Sequence, residues 1–122
     1  MPANKKRAKG VGLDGVRRIA LALPGVEEGT SYGTPAFRVK KKLFLRMREE
    51  GEDLVIRVED DLREMLLERE SSAFHVTDHY AGHPYVLARL GEVHGARLAE
   101  VIEESWRSVA PVRLRAAYDA TS

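Results

Sequence analysis

The sequence has no cysteine among its 122 residues. This absence excludes a disulfide framework, a thiolate zinc site and a cysteine nucleophile. The chain also lacks any run of about 18 apolar residues, the length that a membrane-spanning helix needs. Neither sign of charge predominates, because 20 Lys and Arg against 19 Asp and Glu leave a formal net charge of +1. This balance argues against a protein that coats polyanions with its whole surface. What is present, 43% hydrophobic and 32% charged residues, is typical of one globular domain.

The first ten residues carry four basic side chains and little that a core could bury. No apolar segment follows them, so they do not form a secretory signal. We expect a flexible basic leader over residues 1–10 and a single domain over residues 11–122. Without the leader the chain has 16 basic and 19 acidic residues, so the net charge of the domain is about −3. Because neither a signal nor a membrane span is recognisable, we expect a cytoplasmic protein.

The hydrophobic pattern predicts helices at both ends of the chain and one in the middle. Asp14 is the expected cap of the first helix, Asp61 begins the second in a capping-box-like sequence, and the third starts near Gly95 and ends at Pro111. Residues 112–118 add one or two helical turns. Period-two alternation and flanking turn residues predict five strands, at residues 36–40, 43–48, 53–58, 73–77 and 85–90.

The predicted order α-β-β-β-α-β-β-α indicates a two-layer α+β domain. Short connections between neighbouring strands favour an antiparallel sheet. Three helices cover only one side of a five-stranded antiparallel sheet, so the helices lie on one face. We call the other side, which this arrangement leaves open, the outer face.

Several segments together resemble the MmcQ/YjbR family of small bacterial proteins. They are residues 20–28 (ALALPGVEE), 34–39 (TPAFRV), 42–44, 85–90, 105–106 and 109–111. The resemblance runs from about Leu13 to Asp119 and implies an α-β(3)-α-β(2)-α fold, similar to secretion-chaperone-like folds and likened to double-wing DNA-binding domains. It implies no catalytic residue. The chain departs from the family pattern at the lysine turn of residues 40–42 and at Pro84-Tyr85, where relatives often have glycine and His-Trp respectively.

The distribution of charge is the strongest functional signal in the sequence. Residues 38–48 contain six basic side chains and no acid, whereas residues 49–61 contain seven acids and only Arg57. Strict alternation places many of these cations, with Phe44 and Val55, on the outer face. Cations interleaved with aromatic rings neutralise phosphates and stack on bases. The predicted nucleic-acid or anion site therefore comprises Arg38, Lys40, Lys42, Phe44, Arg46, Arg48, Arg57, Tyr85 and Arg89. The alternative is that Lys and Arg only solvate the face, their alkyl stems covering Phe44 and Val55.

Other candidate residues favour binding over catalysis. His75, His79 and His83 are spaced by four residues, as metal ligands on a helix are, but Gly82 and Pro84 favour a solvated loop there. Tyr32, Tyr80 and Tyr85 are near predicted loops or strand ends and are candidates to rim a ligand cleft.

No acid–base pair, nucleophile motif or phosphate loop is recognisable in the sequence. We therefore expect a non-enzymatic binding module without a cofactor, with nucleic acid as the first candidate partner. The alternative is a protein-interaction or chaperone-like adaptor that uses the outer face or the last helix.

Overall fold

A computed structural model describes residues 10–48 and 52–121 of the chain. In this part of the chain the elements follow one another in a simple order. They are α1 Leu13–Leu21, β1 Val26–Ser31, β2 Thr34–Val39, β3 Lys42–Met47, β4 Asp53–Arg57, α2 Asp60–Arg69, β5 Phe74–His75, a 3-10 turn Asp78–Tyr80, β6 Tyr85–Arg89, α3 Gly95–Val109 and α4 Val112–Thr121. None of the described helices has the length and apolar character needed to cross a membrane. The two-layer α+β prediction is confirmed.

The sheet has six strands within the described residues, one more than expected. All neighbouring strands are antiparallel, in the order β1-β2-β3-β4-β6-β5. The strand missing from the prediction is β1, whose sequence VEEGTS contains two glutamates and a glycine and is largely exposed. Such an edge strand has no buried alternating positions, so hydrophobic periodicity gives no signal for it.

The helices pack on one face of the sheet, as predicted. Leu98, Ile102 and Trp106 of α3 are fully buried against core-facing strand residues such as Phe37 and Ile56. The indole Nε1 of Trp106 donates a hydrogen bond of 2.9 Å to the carbonyl oxygen of Pro24, so the one polar atom of this large side chain is satisfied. The expected role of Trp106 in the core is confirmed.

The helix starts differ from the sequence expectation in detail. Gly12 occupies the N-cap position of α1, and Asp14 lies in the first turn, where it pairs with Arg17 at 3.2 Å. In α2 the N-cap is Glu59, without a side-chain capping bond, and Asp61 lies in the first turn with Asp60. Both predicted caps are therefore wrong, although carboxylates in a first turn still interact favourably with the helix dipole.

The expected leader lies almost wholly outside the described residues. Its last residue, Gly10, donates a backbone hydrogen bond of 2.9 Å to the carbonyl of Val93, and Val11 donates one of 2.6 Å to Leu90. These bonds attach the start of the described chain to the loop after β6.

A β-bulge between β2 and β3 changes which side chains reach the outer face. Phe37 is opposite Leu45 and Arg38 is opposite Leu43, so Phe44 is the extra residue on β3. Phe44 is 1% exposed and packs in the core beneath the helices, whereas Leu43 shares the face of Arg38. Strict alternation predicts the reverse for both residues, so the expectation of an exposed, stacking Phe44 is wrong.

The outer face is not fully open. Ala36, Val55 and Leu87 are buried although they lie outside the core cluster beneath the helices. The connection between β5 and β6 covers part of this face, because Tyr80 in its 3-10 turn accepts a hydrogen bond from Arg46 of β3. This cover forms one wall of a cleft on that face.

Candidate nucleic-acid interface on the outer face

A cleft of about 220 Å³ lies on the outer face between the β1–β2 hairpin and the 3-10 turn. We call it the tyrosine cleft. Three strands supply its floor, and the hairpin tip and the 3-10 turn supply its walls. It is lined by Tyr32, Leu43, Phe44, Leu45, Arg46, Val55, His79, Tyr80 and Tyr85. The three tyrosines that the sequence suggested as a rim thus meet in one cleft.

Arg46 is the cation of the tyrosine cleft. Its cross-strand neighbours are Ala36 on β2 and Val55 on β4, which are small or apolar and leave the guanidinium accessible from the cleft. Nη2 donates to the Tyr80 hydroxyl, and Nη1 donates to the Met47 carbonyl at 3.3 Å. The guanidinium also lies 5.6 Å from the centroid of the Tyr32 ring, within the range of a cation–π interaction. These contacts hold the charge in a fixed position.

Tyr32 stands at the tip of the β1–β2 hairpin. Ser31 pairs with Thr34, so Tyr32 and Gly33 are the two turn residues, with φ of 53° and 80°. Positive φ at both positions is typical of a type I′ turn, which usually contains Asn-Gly. The Tyr32 side chain is 82% exposed. The cleft therefore has an aromatic ring at its mouth that contributes little to the core.

The other aromatic rings of the cleft contact one another edge to face. The Tyr80 and Tyr85 centroids are 5.9 Å apart with an interplanar angle of 66°, and His79 lies 4.8 Å from Tyr80. Such T-shaped pairs are favourable arrangements of aromatic quadrupoles. They connect the 3-10 turn to the start of β6 and so fix the wall of the cleft.

A second cleft of about 400 Å³ adjoins the first. We call it the lysine cleft; it is lined by Lys42, Leu43, Arg57, Tyr85, Ser108 and Val109. Leu43 and Tyr85 line both clefts, which makes them neighbours on the surface. Among the residues that the structure describes, neither cleft is lined by a carboxylate. Two other clefts, beside α2 and α3, are mainly acidic: Arg97 lines one of them, and their walls contain Glu59, Asp60, Asp61, Glu100, Glu103 and Glu104.

The turn next to the lysine cleft is formed by Lys40 and Lys41. Val39 pairs with Lys42, and the two residues between them have φ of 49° and 71°. This is again the backbone of a type I′ turn, here with two lysines in left-handed conformation. Lys40, Lys41 and Lys42 are all exposed, so three positive charges lie at this end of β2.

The remaining predicted cations are held by bonds to the protein. Arg38 donates to the Thr30 carbonyl at 3.2 Å, and Arg89 donates to the carbonyls of Ser71 and Ser72 at 2.8 and 3.2 Å. Arg48 lies 3.5 Å from the Asp53 carboxylate. The structure thus brings Arg46, Arg57, Lys42 and Tyr85 to the two clefts, with Lys40 beside them. Arg38, Arg48 and Arg89 line neither cleft among the described residues, and Phe44 reaches the tyrosine cleft only from the buried side.

The histidines do not converge. His75 Nε2 lies 3.2 Å from Asp53 Oδ2, and His79 packs on Tyr80 instead. Within residues 10–48 and 52–121 no three His, Cys, Asp or Glu side chains are grouped so as to hold a metal ion. His79 lines the tyrosine cleft, although the sequence favoured a solvated loop at this position. Its position follows from the 3-10 turn, which has no hydrophobic periodicity to reveal it.

The YjbR family model matches residues 21–108, which contain all six strands, α2 and most of α3. The chain belongs to the YjbR family. Uncharacterized proteins of Mycobacterium bovis and Mycobacterium tuberculosis are 36% identical to this YjbR protein over 73 residues. The matched segment is 59% of this chain, and it spans 57% of the length of these relatives.

A solved crystal structure has the same fold. The crystal structure of a Deinococcus radiodurans protein with a DUF419 domain superposes with a TM-score of 0.71 at 19% sequence identity. The match covers 85% of this YjbR protein and 81% of the other chain. At this identity the likeness concerns the fold alone, and it agrees with the two-layer arrangement described above.

Proposed function

We propose that this YjbR-family protein is a non-enzymatic module that binds a nucleic-acid strand along the tyrosine and lysine clefts. The observation that supports this function is the continuity of the two clefts through Leu43 and Tyr85. Arg46 lies in one cleft, and Lys42 and Arg57 lie in the other. Within the described part of the chain both are free of lining carboxylates. A polyanion that follows the two clefts therefore contacts cations and aromatic rings one after another, without repulsion from the cleft walls.

The length of the surface suits several phosphates. Strand β3 has six residues from Lys42 to Met47, and a strand rises by about 3.4 Å per residue, so it is about 20 Å long. The phosphates of one DNA strand are about 3.4 Å apart along the helix axis. A surface of this length spans several phosphates, which is enough for a bound strand to reach Lys42 at the start of β3, Arg46 near its end and Arg57 on the neighbouring strand.

The net charge of the protein is compatible with this function because the charges are segregated. The acidic clefts lie beside α2 and α3, whereas the cations line the tyrosine cleft of the outer face and the lysine cleft, which lies next to the last residues of α3. A local positive surface attracts a polyanion even when the net charge is near zero, and this attraction weakens as salt is added. Binding is accordingly expected to be strong at low salt and to fall steeply as salt is raised.

Fluorescence anisotropy with labelled oligonucleotides tests the proposal. The double variant Lys42→Glu, Arg57→Glu is expected to lose at least about 10-fold in affinity at low salt. Its salt slope is expected to fall by about 0.7 per lost phosphate contact on a single strand. The matched control is Arg18→Glu, Arg69→Glu, which changes the charge equally on the exposed surfaces of α1 and α2. Absence of binding at low salt, or an equal loss in the control, would contradict the proposal.

A further inference from the structure

We infer that the tyrosine cleft receives one unpaired base, so that the protein selects single-stranded over duplex nucleic acid. This inference rests on the proposed function and adds the substrate class to it. The lysine cleft neutralises phosphates in either kind of nucleic acid. The tyrosine cleft offers a different surface, in which aromatic rings and apolar side chains surround a single cation.

The position of Tyr32 points to a stacking role. Its ring is exposed at a turn position with φ of 53°, where a bulky side chain is strained and Asn is the usual residue. Packing does not explain an aromatic residue there, because most of its surface is in contact with solvent. Strained residues that persist in a fold are concentrated at ligand sites. The exposed ring of Tyr32 is therefore available to stack on a base.

The walls of the cleft suit both the flat ring faces and the polar edge of a base. Leu43 and Val55 present apolar surface, while the edge-to-face pair Tyr80 and Tyr85 presents ring surface. Arg46 contributes guanidinium donors that the bond to the Tyr80 hydroxyl keeps in place. Apolar surface, aromatic rings and hydrogen-bond donors together match a flat group with a polar edge. In a duplex the bases are stacked on their neighbours, so only an unpaired base presents a free ring face to Tyr32.

Comparison of three ligands separates this inference from the proposed function. The ligands are a labelled ten-nucleotide oligo-dT, an abasic deoxyribose-phosphate strand with the same number of phosphates, and a ten-base-pair duplex. Oligo-dT is expected to bind about 5- to 150-fold more tightly than the abasic strand, the range for one base stacked on an aromatic ring. Equal binding of oligo-dT and the abasic strand, or tighter binding of the duplex, overturns the base cleft but leaves phosphate binding intact. Failure of all three to bind at low salt overturns both.

A substitution at Tyr32 removes the ring without damage to the turn. Tyr32→Asn places a residue that tolerates positive φ before Gly33, so the hairpin is expected to fold at least as well. This variant is expected to keep the affinity for the abasic strand and to lose the preference for oligo-dT. Tyr32→Phe keeps the ring and is expected to retain the preference. Thermal melting of both variants verifies the fold, and a full preference for oligo-dT in Tyr32→Asn overturns the inference.

Discussion

The turn formed by Lys40 and Lys41 allows the cost of a strained backbone to be measured directly. Both residues have positive φ, at 49° and 71°, in a two-residue turn between β2 and β3. The left-handed conformation brings the Cβ atom close to the following carbonyl oxygen and costs about 1–2 kcal/mol per residue. Asn tolerates this conformation and Gly adopts it freely, which is why Asn-Gly is the preferred type I′ sequence.

The variant Lys40→Asn, Lys41→Gly is therefore expected to be more stable than the natural sequence. Gly at position 41 removes about 1–2 kcal/mol of strain but adds about 0.5–1 kcal/mol of chain entropy to the unfolded state. Asn at position 40 relieves part of the strain there. The net gain in the free energy of unfolding is about 1–2 kcal/mol, which for a chain of this length raises Tm by about 4–8 °C.

Urea unfolding followed by the fluorescence of the buried Trp106 measures this gain. The matched control is Lys40→Gln, Lys41→Gln, which removes the same two charges but keeps a Cβ at both left-handed positions. If the control gains as much as the Asn-Gly variant, charge repulsion and not backbone strain is the cause. A decrease in stability of the Asn-Gly variant would refute the reasoning altogether. The same variant is expected to bind oligo-dT more weakly, because two cations beside the lysine cleft are lost.

Two further substitutions test individual contacts. Tyr80→Phe removes the hydroxyl that accepts a hydrogen bond from Arg46 and so keeps its guanidinium in place. We expect a loss of about 1 kcal/mol in urea unfolding and a smaller loss of oligo-dT affinity than in Tyr32→Asn, because the ring of residue 80 remains. A loss of affinity as large as that of Tyr32→Asn would contradict this. Hydrogen bonds from Arg107 hold the pKa of Asp119 below its ordinary value of 3.8. This contribution to stability is present above that value and disappears as the pH falls through the lowered pKa. The Tm difference between Asp119→Asn and the natural protein is therefore expected at about pH 7 and is expected to shrink as the pH falls below 3.8, and a difference that does not change with pH would refute it.

The hydrophobic pattern predicted the buried parts of the fold and missed the exposed ones. The apolar stripe of α3 and the alternation in β4 give a strong signal, because both elements bury side chains at a regular period. Strand β1 is mostly exposed and is held by backbone pairing with β2, which depends on main-chain groups and leaves little trace in the side-chain pattern. The bulge at Phe44 also gives no signal in the sequence, because one extra residue leaves the composition of the strand unchanged and only shifts its register.

The candidate site was predictable in its charges but not in its geometry. The run of cations over residues 38–48 is visible in the sequence. Tertiary contacts decide which of these cations line a cleft and which bond to other parts of the protein. Arg38 and Arg89 bond to backbone carbonyls of other segments, and Arg46 reaches a tyrosine 34 residues away. Period two assigns a strand residue to a face, but it does not identify the loop that covers that face. The 3-10 turn Asp78–Tyr80 therefore decides the shape of the tyrosine cleft.

The strained residues of the described chain support the proposed location of the site. Apart from glycine, the residues with positive φ in this part of the chain are Tyr32, Lys40 and Lys41. Tyr32 lies at one end of β2, in the mouth of the tyrosine cleft, and the two lysines lie at the other end, next to Lys42 of the lysine cleft. Turn stability alone favours Asn or Gly at all three positions, yet the sequence has an exposed ring at one end and two cations at the other. A stacking ring and phosphate-binding cations are the groups that a nucleic-acid strand requires. The binding function that we propose would therefore account for the strain at both turns, whereas simple solvation of the sheet would account for neither.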